Sequence, residues 1–260
     1  MTDSASPRRQ AKGGPGIGLI LTSLFDADLR VQLRNGRALA VSLFLPIVLM
    51  YTLGAGKRGA IFPAGSRLAI AIGVGITSVA ILGYTATVAR DRETGVFQRL
   101  RVTPAPTWAI MSSRLAVQVL SIVVMTEVVF IVGRVILNLT LDPGAYALTM
   151  AVAVLGAAEF LSIGQAIVGL LKSADTVNAV GRLLYIPLFA LGLISNVSVF
   201  GSTLETIARW SPGGALISML AGAIAPATWN SDNSRSVLMS LAYTFVFAAL
   251  GIRWFQWEVR

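Results

Sequence analysis

The chain has 260 residues, of which 55% are hydrophobic and 13% charged, with a formal net charge of +9. A water-soluble domain carries about 25% charged residues, so the composition disfavours one or two soluble domains and suits about six membrane spans with their connections. Cysteine and histidine are absent, which excludes disulfides, thiol chemistry and the usual zinc and haem ligands.

The positive charge comes without basic-aromatic motifs and with little polar surface. It points to cytoplasmic loops and anionic lipid headgroups, not to nucleic acid. Residues 1–16 lack periodicity and are rich in Pro, Gly and charge, as a flexible cytoplasmic tail is. No apolar run follows their basic start directly, so no signal peptide is expected.

Over 17–37, Ser23, Asp26, Arg30, Arg34 and Arg37 recur at spacings of three and four. Ile17, Ile20, Leu24, Ala27 and Val31 fall on another face. Such an amphipathic helix lies in the membrane interface; the alternative is a cytoplasmic helix packed on the bundle.

Six apolar stretches follow, at about 38–56, 68–89, 109–137, 144–171, 180–199 and 237–255. Each reaches roughly 30 Å as a helix. Long uniform apolar runs have no strand alternation, and a lipid-exposed backbone must bond to itself, so helices are expected. The fold class is all-α integral membrane, a transmembrane domain over 38–255 followed by a cytoplasmic C-terminus at 256–260. Pro46 and Pro187 predict kinks in the first and fifth spans.

Residues 213–224 are apolar but too short to cross, about 18 Å as a helix. Pro212 separates them from a helical pattern at Leu204, Ile207 and Ala208, and Trp210 and Trp229 flank them as interfacial anchors do. Residues 200–226 therefore read as a broken hairpin dipping in from the outer side. With the N-terminus inside, 15 of the 21 Lys and Arg residues fall on inner segments, which puts both termini in the cytoplasm.

The inner loop 90–106 is the most informative segment. Asp91 and Glu93 stand at its start and Arg99 and Arg101 near its end, which suits the dipole of a short helix. Val96, Phe97 and Leu100 form an apolar face at helical spacing, and Thr103-Pro104 stops the helix. Phe97 and Leu100 are thereby expected to be offered to a groove on a partner.

The pattern R-x-x-E-x-G-x-x-x-x-L-R-x-T-P after the second span resembles the permease subunits of type-2 ABC exporters, the daunorubicin-resistance type most closely. The resemblance implies a coupling helix that docks on a separate ATPase, a role falling on Arg90, Asp91, Glu93, Gly95, Leu100, Arg101, Thr103 and Pro104. It implies a bacterial inner-membrane protein and a unit of two permeases, identical or related, with two ATPases that bind ATP and Mg. Trp210-Ser211-Pro212 is similar to the outer-hairpin region of that family, although the family's usual earlier proline is missing around 201–204. No G-x-x-x-x-G-K-[ST] phosphate loop occurs in the sequence, so ATP hydrolysis is expected from a partner and no cofactor is expected on this chain.

Polar groups at membrane depth need an explanation, since a central charge costs about 2.5–3.5 kcal/mol on insertion scales. Glu127, Glu159 and Gln165 are candidates for lining a translocation path. Glu127 and Arg134, seven residues apart on one face, alternatively form a structural pair between spans three and four. Two other function classes remain: an ion- or proton-coupled carrier using Glu127 and Glu159, and a membrane scaffold.

Overall fold

A computed structural model describes residues 16–34, 36–55, 61–103, 105–195 and 201–254. The expected tail and C-terminus lie outside these, but for Gly16. The described residues form helices and no strand. Helix α1 runs Ile17–Arg34, α2 Gly36–Thr52, α3 Ala64–Glu93, α4 Val96–Arg101, α5 Thr107–Leu137 and α6 Pro143–Leu170. Then come α7 at Ala174–Ile194, α8 at Ser202–Trp210, α9 at Pro212–Ile224 and α10 at Ser231–Trp254.

Five of these, α3, α5, α6, α7 and α10, are long and apolar enough to cross a membrane. The first expected span is the shorter α2, whose 17 residues reach about 25 Å. It begins at Gly36, just past the end of α1, so the two expected segments 17–37 and 38–56 both end earlier in the chain.

Of these five, α3 and α6 are the most buried and lie at the core, whereas α7 and α10 turn most of their surface outward. Small residues let the core helices approach. A Cβ on Gly164 of α6 would sit 2.8 Å from the carbonyl oxygen of Ala80 on α3. Gly75 of α3 lies under Met125 of α5 and Pro46 of α2. Among apolar helices in lipid, such close packing supplies attraction that the hydrophobic effect does not.

The middle of α3 is a π-helix over Ser78–Tyr84, which the apolar sequence does not announce. The wider turn departs from the regular i→i−4 carbonyl ladder, and side-chain hydrogen bonds accompany it. Thr85 Oγ1 donates to the Ile81 carbonyl at 2.6 Å, and Ser78 Oγ donates to Tyr185 Oη of α7 at 3.0 Å.

The expected broken hairpin is two helices hinged at Ser211. Ser211 caps α9, its Oγ accepting from the Gly214 N–H at 3.0 Å, and Pro212 takes the first helical position, where no N–H is needed. Helix α9 is buried among α3, α6, α7 and α10 for nearly its whole length. Its 13 residues span about 20 Å, too short to cross. The hinge lies well below the α7 end: Gly213 packs on the Leu188 carbonyl, and Tyr243, halfway along α10, donates to the Trp210 carbonyl at 2.6 Å. From the hinge α9 climbs back, bringing Ile224 against Gly65 at the start of α3.

Helix α1 packs on α5 through Leu24 and Asp28, and its polar face carries the Asp26–Arg30 ion pair at 2.7 Å. The alternative of a helix packed on the bundle therefore describes one of its faces. Ile17, Leu19, Val31 and Leu33 remain exposed on others.

Candidate functional site

The loop 90–106 and the helix ends around it form one cluster. Helix α3 continues through Arg90–Glu93 before the chain turns at Thr94-Gly95, so Asp91 and Glu93 close α3 and do not open α4. Acidic groups in the last turn oppose the helix dipole, and each is offset by a donor. Asp91 pairs with Arg114 of α5, and Glu93 Oε1 accepts the Ala174 N–H at 2.7 Å, satisfying a first-turn donor of α7.

Arg92 lies between them, 4% exposed. Its Nη2 donates to the Val168 carbonyl at 2.6 Å and its Nη1 to Leu171 at 2.7 Å, capping the end of α6. Two adjacent residues of α3 thus hold both sides of the α6–α7 turn, one by its last carbonyls and the other by its first amide. No short-range pattern marks Arg92 for this, because the partners lie about eighty positions on; as an Arg inside a basic loop it was assigned no role of its own.

Gly95 has φ +71, a left-handed conformation that glycine adopts without a Cβ penalty, and it joins α3 to α4. Thr103 Oγ1 donates to the Leu100 carbonyl at 2.6 Å and closes α4. Pro104 and the Arg101 side chain lie outside the described residues.

The expectation for the apolar face of α4 is corrected. Phe97 is not offered outward: it is fully buried, with the Arg114 guanidinium 4.6 Å from its ring centroid. A six-residue helix has one apolar stripe, and the bundle takes it as the anchor. Leu100 is half-buried against the core. The outward surface instead includes Arg90, Gln98, Arg99, Val102 and Trp108, with Val102 88% and Trp108 54% exposed. Val102 and Trp108 were missed; apolar residues flanking a solvated turn are the signal that could have found them.

Helix α1 joins this cluster where Ser113 Oγ donates to Asp28 Oδ2 at 2.7 Å. Burial pushes the Asp28 carboxyl up from its ordinary 3.8, outweighing the lowering by the Ser113 hydrogen bond and the Arg114 charge, while Asp91 adds to the rise. The docked helix therefore binds the proton more tightly than the free one. Docking is strongest below 3.8 and weakens as pH rises from there through the raised value, then levels off. Asp28→Asn, which keeps an acceptor for Ser113, should remove that pH dependence. Hydrogen exchange of the 17–34 amides, corrected for intrinsic rates, is the measurement.

The membrane-depth candidates do not come together. Glu127 and Arg134 form no ion pair; Glu127 instead accepts a hydrogen bond from Tyr146 of α6. Seven residues on one face are two turns, about 10 Å, apart, and Tyr146 is nearer. The link between spans three and four exists with a different donor.

Glu159 and Gln165 are buried between helices. Glu159 is 0% exposed, accepts from Ser240 of α10 at 2.8 Å, and has no partner at Oε1 among the described residues. Gln165 accepts from Tyr84 in the π segment and packs against Gly251 of α10.

Comparison with known proteins agrees with this architecture. Residues 21–225 match the family described as "ABC-2 type transporter". The chain is also similar to the Bacillus subtilis (strain 168) protein named "Putative transport permease YvfS". The two are 26% identical over 176 residues, 67% of this chain and 69% of the relative. The family match takes in α3, α4 and the hinge at Ser211, and with the multi-pass helical bundle it places the chain in the ABC-2 type transporter family as a membrane permease.

Proposed function

We propose that this permease is the membrane subunit of an ATP-driven exporter carrying a drug, antibiotic or lipid-like amphipathic molecule. It acts in a bacterial inner membrane with both termini in the cytoplasm. A separate ATPase docks on α4, binds ATP and Mg, and supplies the hydrolysis that this chain does not perform. Two permeases, identical or related, complete the pathway.

The observation that carries the proposal is the outward surface formed by Gln98 and Arg99 of a short helix anchored by Phe97 beneath it, together with Val102 just past that helix and Trp108 at the start of α5. A push on that surface is transmitted through Asp91 to α5 and through Arg92 and Glu93 to the α6–α7 turn. Membrane helices then move as connected bodies, because packed interfaces have discrete arrangements and do not deform continuously.

The test is coexpression with an ATPase subunit that carries a G-x-x-x-x-G-K-[ST] loop. Glu93→Arg should leave the chain in the membrane and its partner bound, yet reduce permease-stimulated ATP hydrolysis at least tenfold. Full stimulation by a stable Glu93→Arg variant would count against it.

A further inference from the structure

Helices α3 and α7 cross closely at Gly181, where a Cβ would lie 3.1 Å from the Ile81 carbonyl oxygen. Beside the crossing they part around a cavity of about 240 Å³, open to the outside and lined by Ile81, Leu82, Thr85, Ala86, Asn178 and Arg182. Asn178 and Arg182 are one turn apart on α7, and neither side chain makes a hydrogen bond or ion pair among the described residues. No carboxylate lines the space.

The depth is informative. The uncharged run of α3 ends at Ala89, four residues or about 6 Å from Thr85. An Arg at this level extends its stem along apolar surface and brings its guanidinium to the headgroup boundary. A guanidinium fork presents paired donors that match a phosphate, and the Asn178 amide adds another within one turn. The remaining wall, Ile81, Leu82 and Ala86, is apolar. It suits the glycerol and first methylenes of an attached tail better than a hydrated free anion.

We propose that this cleft binds the phosphate headgroup of an anionic phospholipid from the leaflet on the α4 side, independently of whether the chain works with an ATPase. A lipid held there bridges α3 beside its π segment to α7, the two helices whose ends Glu93 joins.

The test uses the purified full chain in phosphatidylcholine nanodiscs titrated with phosphatidylglycerol, with bound lipid counted by native mass spectrometry. Arg182→Gln should weaken phosphatidylglycerol binding about fivefold, the effect of one basic residue at an anionic surface. Arg182→Lys keeps the charge without the fork and should lose less. Arg134→Gln, an exposed Arg near the far end of α5, should change nothing. Millimolar inorganic phosphate should not displace the lipid. Wild-type binding by Arg182→Gln, an equal loss in Arg134→Gln, or displacement by inorganic phosphate would each overturn the assignment.

Discussion

Arg92→Ala is expected to abolish permease-stimulated ATP hydrolysis while the chain still inserts in the membrane. Arg92 donates to the carbonyls of Val168 and Leu171, and hydrogen bonds from a charged group are worth about 1.5–3 kcal/mol each. Truncation leaves the last turn of α6 without these donors, the Val168 carbonyl in a buried place. A loss of at least about 3 kcal/mol at that junction follows, enough to free the α6–α7 turn from the end of α3. Arg92→Lys brings one point charge where a fork bridged two carbonyls and should be intermediate. Glu93→Gln keeps an oxygen for the Ala174 N–H and should remain close to the parent. Hydrogen exchange at the first amides of α7, measured beside the ATPase rate, separates a loosened turn from a lost docking surface: only the former raises exchange with the partner still bound.

The second large effect belongs to the hinge. Gly213→Ala would drive a methyl group into the Leu188 carbonyl oxygen, with the Leu188 carbonyl carbon at 3.0 Å and the Gly192 nitrogen at 3.3 Å. All three are backbone atoms of α7 and cannot rotate away as a side chain does. Gly214 faces the Ala208 carbonyl in the same manner. Overpacking of this kind costs about 1–3 kcal/mol and occasionally more, and a rigid wall places Gly213→Ala at or above the upper end. The expected result is loss of most folded, monodisperse protein in detergent. Gly18→Ala is the matched control. Nothing lies within 4 Å of a Cβ there, and the exposed helical position should gain about 0.5–1 kcal/mol from the exchange. Size-exclusion yield and thermal melting of the three proteins compare them directly.

The two effects fall at two helix junctions. The hinge at Ser211 and the α6–α7 turn are both places where backbone groups at helix ends must find partners. Ser211 and Pro212 solve this locally and could be read from the sequence as a helix start. Arg92 and Glu93 solve it at long range, using positions that resemble an ordinary basic loop.

By itself the sequence determined the class of the molecule: a helical membrane protein, a short helix after the second apolar stretch, and an apolar segment near 213–224 too short to cross. Length and hydropathy decide these, because a backbone in lipid has few ways to satisfy its own polar groups. Only the tertiary structure decided which faces meet. Lipid and protein interior are equally apolar to a leucine, so hydropathy does not tell a buried α9 from a lipid-facing segment. It also does not foretell the π-helix at Ser78–Tyr84, the inward turn of Phe97, or Tyr146 in place of Arg134 as the partner of Glu127. These depend on small residues such as Gly164, Gly181 and Gly213 that let backbones approach, and on single polar contacts between residues far apart in the chain.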